Sequence, residues 1–133
     1  MQNDLETATA LLDGAKAAGA DAADVIVMAE SSVGIGVAKG ALEEAERSEG
    51  REAGLRVLIG KQQACVSGSD LSGPALTAMA ERAVALAREA PEDPWCGLAD
   101  PGQIGGHTDP ATLDMVDPAT PPTPEDLEAM ALA

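Results

Sequence analysis

GLRVLIGKQQACVSGSDLSGPALTAMAERAVAL, residues 54–86, is the stretch of sequence that decides the fold. Leu55, Val57 and Ile59 alternate with other residues, and this period of two predicts a strand. The pair Gly60-Lys61 predicts a two-residue type II′ turn, because glycine can adopt the positive φ needed at its first central position. A returning strand and then a long helix over residues 72–90 are expected to follow.

The sequence before this hairpin predicts one more helix and further strands. A single apolar stripe over residues 4–18 predicts a helix that Gly19 ends. Residues 25–30 and 33–38 predict two strands, the second with glycine at positions 34 and 36. Residues 41–48 have helical propensity but lie between strand signals, and we expect a strand there. The expected fold class is α+β, with four to five mostly antiparallel strands and both helices on one face of the sheet.

The sequence after residue 90 changes character, and it predicts an irregular connector. Residues 91–122 contain most of the nine prolines, with several aspartates and glycines. Residues 123–133 begin like a helix, with a threonine cap, a proline and two acids. We therefore expect an α+β domain over residues 1–90, a connector over 91–122, and at 123–133 the start of a helix that leads to a further C-terminal domain.

The composition argues against nucleic acid as a direct ligand. The formal net charge is −15, which a phosphate backbone would repel. The sequence has neither a secretory leader nor an apolar run long enough to span a membrane, and its two cysteines lack CxxC spacing. The expected location is the cytoplasm. Phe and Tyr are absent and Trp occurs once, so the core is built from small and aliphatic side chains.

The residues that could carry chemistry are few. His107 is the sole histidine, and a zinc site takes three or four protein ligands, so we expect neither a metal site nor a catalytic site in this chain. Cys65 is expected in the core, and Trp95 and Cys96 are expected to anchor the connector. A hydrolase that pairs Cys65 or Cys96 with His107 is the weakest alternative.

Several segments of the sequence resemble the N-terminal region of the TldD/PmbA family. They are residues 54–57, Gly60, residues 69–72 with the alanine-rich helix after them, and residues 91–100, which are most similar to the PmbA (TldE) branch. The resemblance implies a strand at residues 41–48. It also implies a non-catalytic domain of a PmbA/TldE-like subunit that joins a TldD-like subunit in a zinc-dependent metallopeptidase. Zinc would then belong to the partner subunit.

The same resemblance implies a role in proteolysis, such as peptide maturation or antitoxin degradation, and makes any effect on DNA gyrase indirect. Arg56 is expected to pair with a nearby glutamate or to contact a partner subunit or peptide. The nearly bare face around Gly34 and Gly36 could admit an extended peptide or an unfolded protein. The alternative is a stand-alone acidic module that binds basic proteins and has no connection with proteolysis.

Overall fold

The computed structural model describes residues 4–106 and 109–133. In this part of the chain the elements follow one another as helix α1, strands β1, β2 and β3, helix α2, a short 3-10 helix and helix α3. Their bounds are α1 Asp4–Ala18, β1 Ala22–Ala38, β2 Ala41–Ile59, β3 Gln62–Gly68, α2 Gly73–Glu89, the 3-10 helix Pro101–Gln103, and α3 Pro124–Leu132.

The α+β class is confirmed, but the strands are fewer and longer than expected. The described residues form one sheet of three strands in the order β1-β2-β3. The two strands expected at 25–30 and 33–38 are one continuous strand, β1. The strand expected at 41–48 is present, and it continues without a break into the hairpin strand as β2. Local helical propensity at 41–48 is therefore overridden by pairing within the sheet.

The chain divides into two compact units. The first unit comprises Met1–Glu30 and Gly50–Leu98, and the second comprises Ser31–Glu49 and Ala99–Ala133. The first unit contains the hydrophobic core, whereas the second contains the far ends of β1 and β2, most of the proline-rich segment and α3. The domain boundaries expected from the sequence stay a prediction.

Helix α1 ends as its sequence predicts. Gly19 has a φ of +104°, a conformation that glycine adopts without a steric penalty. Its N–H donates to the carbonyl of Lys16, and the N–H of Ala20 donates to the carbonyl of Ala15, 3.0 Å away. These two bonds form a Schellman motif, which satisfies carbonyls at the end of the helix. Leu11 and Ala15 are fully buried in the core.

The hairpin of β2 and β3 is confirmed. The two strands pair antiparallel, from Ala53 opposite Gly68 to Ile59 opposite Gln62. Gly60 has a φ of +57°, as the first central residue of a type II′ turn requires. A second tight turn, which the sequence analysis did not identify, joins β1 to β2 at Lys39-Gly40, where both residues have positive φ.

Helix α2 covers one face of the sheet and packs closely on α1. Half of the six residues in its buried stripe are alanine, which lets the helix axes approach: a Cβ on Gly14 would lie 3.1 Å from the Cβ of Ala80. The expected start is confirmed at Ser72, although the Ser72 side chain makes no capping hydrogen bond. The Asp70 carboxylate instead accepts the Ser72 N–H at 3.0 Å. The stripe comprises Leu76, Met79, Ala80, Ala83, Val84 and Ala87.

Candidate functional site

The candidate site lies on the sheet face of the first unit that the helices leave uncovered. In β2, Ala53, Leu55 and Val57 are at most 1% exposed and belong to the core beneath the helices. Side chains alternate between the faces of a strand, so Gly54 and Arg56 lie on the opposite face. We call this second side of the first unit's sheet the open face.

Arg56 forms an ion pair in the middle of the open face. Its Nε donates to Oδ1 of Asp24 at 2.9 Å, and its Nη2 donates to Oδ2 at 2.6 Å. The hydrogen bonds that Arg56 donates to Asp24 are the main reason why the pKa of Arg56 is raised above its ordinary value. The expected partner within the chain was a glutamate. The actual partner is an aspartate of β1, which strand pairing brings beside Arg56.

A depression of about 360 Å³ lies next to this ion pair. Ile26, Gly54 and Ser67 line it together with the ion pair. Glycine at position 54 leaves room for Ile26, because a Cβ there would lie 3.1 Å from Cγ2 of Ile26. The missing side chain therefore makes the middle of the open face concave.

Cys65 and Cys96 lie in different surroundings, and only Cys65 departs from its predicted place. Cys65 stands opposite Arg56 in the hairpin register and is exposed, so the expectation of a core residue is wrong. One position further along β3, Val66 takes the core side. The cysteine that is buried is Cys96, which is 8% exposed and lies outside the core cluster.

The segment after α2 crosses the hairpin turn and covers one end of the open face. The N–H of Asp93 donates to the carbonyl of Lys61 at 2.7 Å, and Nζ of Lys61 donates to the carbonyl of Cys96 at 3.2 Å. Leu58, on the open face, is only 4% exposed. Gln63, the partner of Leu58 in the hairpin register, is half-buried on the same side of the sheet.

Trp95 is not packed against the first unit. Its side chain is 92% exposed, although the sequence analysis expected an anchor at this position. The anchoring contacts come from Asp93, Lys61 and Cys96 instead. The backbone N–H of Trp95 donates to Oδ1 of Asp93 at 2.9 Å, and this bond fixes the turn that displays the indole ring.

The two glycines expected to form a bare face lie in the second unit and differ in their surroundings. A Cβ on Gly34 would meet no atom within 4 Å. A Cβ on Gly36 would lie 3.3 Å from the Cβ of Glu44 in β2, so Gly36 makes room for its neighbour. Gly34 is therefore the position where this strand is open to an approaching chain.

The described residues do not fit a zinc site. Within 4–106 and 109–133, no three His, Cys, Asp or Glu side chains are grouped so that they could hold a metal ion. His107 lies outside the described residues. The expectation that this chain holds neither a metal nor a catalytic site stays a prediction.

Asp24 and Ile26 were not identified from the sequence, because residues 25–29 are apolar at every position and do not indicate which side of the strand packs on the core. Val25 and Val27 are half-buried, whereas Asp24, Ile26 and Met28 between and beside them are exposed. Only one side of this apolar strand packs on the core.

Among residues 4–106 and 109–133, every helix is too short or too polar to span a membrane.

The fold and the open face define a small α+β module whose three-stranded sheet is covered by helices on one side. Residues 23–87 match the sequence profile of PmbA/TldA metallopeptidase domain 1. Residues 23–87 therefore carry the first domain of the PmbA/TldD family. No curated protein sequence matches the chain.

A solved structure supports the same fold. The chain is similar to a candidate modulator of DNA gyrase from Bacteroides thetaiotaomicron, with a TM-score of 0.72 and 18% sequence identity. The similarity covers 89% of this chain and 28% of that protein. At this level of identity the likeness concerns the fold. The chain thus spans little more than a quarter of the length of this relative.

Proposed function

We propose that the chain acts as the non-catalytic N-terminal domain of a PmbA/TldE-like subunit in a TldD/PmbA-type, zinc-dependent metallopeptidase. The match of residues 23–87 to the first domain of that metallopeptidase family carries the proposal. In this arrangement a TldD-like subunit supplies the zinc, and the cytoplasmic complex acts in peptide maturation or antitoxin degradation.

Charge supports an indirect connection with gyrase. The structural relative is described as a candidate modulator of DNA gyrase. With a formal net charge of −15, the present chain would be repelled by DNA, so it would influence gyrase through proteolysis of another protein.

A first experiment measures the native protein in the complex from which it is purified. We expect an intact mass far above 13.3 kDa, zinc contributed by a second subunit, and cleavage of fluorescein-labelled casein that a chelator stops. If a second subunit binds the zinc, replacing His107 by alanine should leave the zinc content of the complex unchanged. A native protein that purifies without a partner and without zinc would instead favour the stand-alone acidic module.

The exposed edge of β1 supplies a route for guiding a peptide. Within the described residues, β1 is one of the two outer strands of the sheet, and at Gly34 no side chain covers the face next to this edge. An extended peptide or unfolded protein could therefore add to this edge through backbone hydrogen bonds, which require no particular sequence.

The peptide route is tested by closing the open space at Gly34. In the purified complex, Gly34→Val should slow the cleavage of labelled casein while leaving zinc content and complex mass unchanged. Gly102→Val is the matched control, because a Cβ there also meets no atom within 4 Å and lies in the same unit. Equal rates for both variants would remove the peptide-guiding role but leave the subunit assignment standing.

A further inference from the structure

The open face carries apolar side chains that the first unit leaves unpacked. Ile26 is 58% exposed and Met28 is 47% exposed, and both project from the outer strand β1. A sheet with one solvated face normally places polar residues on that face. Two large aliphatic side chains side by side therefore indicate a surface that another molecule covers.

The shape of the open face leaves one defined place for that molecule. The segment with Cys96 covers the end of the face near Leu58. Beyond the Asp24–Arg56 pair the face is uncovered, and Gly54 forms the concave floor beneath Ile26. Trp95 stands on the covering segment with its ring exposed, next to Cys96.

The charges on this surface select the partner. The exposed carboxylates of Glu30 and Glu52 lie on the open side of their strands, and Glu30 extends beside Gly50. The guanidinium of Arg56 is already engaged by Asp24. The surface is thus apolar and acidic, and an exposed indole ring offers its face to a cation.

A second copy of this chain is a poor occupant. Each copy carries a formal net charge of −15, so two copies repel one another. A partner segment with alternating basic and aliphatic side chains satisfies both requirements: its aliphatic groups fill the depression and its ammonium groups meet the glutamates.

We propose that the uncovered part of the open face, with Trp95 at its border, docks a cationic amphipathic segment of a partner protein. Ile26, Met28 and Gly54 would receive its aliphatic side chains. Glu30, Glu52 and the ring of Trp95 would receive its ammonium groups. This inference stands on the first unit alone and does not rest on the proposed function.

The test uses the 133-residue chain and three short peptides, with alternating Lys-Leu, Glu-Leu and Lys-Ser residues. Trp95 is the sole aromatic residue, so tryptophan emission reports this one side chain. The Lys-Leu peptide should shift the emission to shorter wavelength and bind with measurable heat. Its affinity should fall as salt is added. The other two peptides should bind at least about tenfold more weakly, because each lacks one of the two interactions.

Paired variants separate this surface from general charge and apolar effects. Ile26→Ser should weaken binding of the Lys-Leu peptide about tenfold. Leu86→Ser, at a residue of α2 with 49% exposure, should change it less than about twofold. Glu52→Lys should weaken binding about tenfold. Glu81→Lys, with the same change of net charge on the exposed side of α2, should have an effect below about twofold at 0.15 M salt.

Three results would overturn the proposal. Equal weakening by Glu52→Lys and Glu81→Lys would show attraction to the net charge alone. A dimer in sedimentation that Ile26→Ser dissociates would assign the face to a second copy. The third result is a native protein that fails to bind the Lys-Leu peptide and shows Trp95 emission already at short wavelength. That result would assign the face to another part of its own polypeptide.

Discussion

The two halves of strand β2 share one backbone conformation but differ in almost everything else. Residues 53–59, in the first unit, alternate between core positions and the open face. Residues 41–49, in the second unit, are exposed at every position. Strand geometry therefore follows from pairing, whereas burial depends on which elements pack against each half. The following predictions compare equivalent changes in the two halves and units.

The largest difference is expected for leucines on the two halves of β2. Leu55 is 1% exposed in the core, whereas Leu42 is 47% exposed. Leu55→Ala should lower the free energy of unfolding by about 2–5 kcal/mol, because it removes buried methyl groups and leaves a cavity. Leu42→Ala should change it by about 0.5 kcal/mol or less. Urea denaturation followed by circular dichroism measures both.

The comparison fails if the two leucine variants lose similar stability. That result would mean that Leu42 is buried in solution, for example against a partner. A wild-type unfolding free energy well above about 10 kcal/mol would contradict a further expectation: a core without Phe or Tyr buries little area per residue and gives modest stability.

Glycines provide the second comparison. Gly14 lies where α1 meets α2, and a Cβ there would be 3.1 Å from the Cβ of Ala80. Gly14→Val should cost about 1–3 kcal/mol, because the larger side chain forces the two helices apart. Gly34→Val should be neutral or stabilising by up to about 1 kcal/mol, since its surroundings are open and valine favours a strand.

Thermal denaturation of both variants checks this order. A Gly14→Val protein as stable as wild type would show that the packing of α1 on α2 is loose. The stability of Gly34→Val also matters for the peptide-guiding experiment, because slower casein cleavage can be interpreted only if this variant is folded and stable.

Much of the fold could be predicted because its signals are local. Gly19 and Gly60 adopt the positive φ that their positions between predicted elements require. The apolar stripe of α2 and the alternation around Leu55 are likewise readable without knowledge of the neighbours. For the same reason the class, the hairpin and the two long helices were correctly expected.

The open face could not be predicted because it depends on pairing between distant parts of the chain. Asp24 reaches Arg56 only when β1 and β2 lie side by side, and 32 residues separate the two in sequence. Cys65 lies on the open face and the next residue, Val66, in the core, because a shift of one position turns a side chain to the other face. The exposure of Trp95 depends on how its segment crosses the hairpin turn, which composition does not encode.

The smallest effect concerns two aspartates that stabilise helix starts in the two units. Asp70 accepts a hydrogen bond from the Ser72 N–H before α2, and Asp126 accepts from the Thr123 N–H at the start of α3. These hydrogen bonds lower the pKa of both carboxyls below the ordinary value of 3.8. Because the folded pKa is the depressed one, the stabilisation is complete above pH 3.8 and is lost as the pH falls through the folded pKa.

In an NMR titration, the carboxyl carbon chemical shifts of Asp70 and Asp126 should each give a midpoint below pH 3.8. Thr123→Ala should return the midpoint of Asp126 towards 3.8. The consequences should differ between the units. Acidification should fray α3, which has no buried residue, while α2 keeps its helical shifts through its buried stripe. Simultaneous loss of both helices at one pH would show that the units unfold together, because the start of α3 would then depend on the core of the first unit.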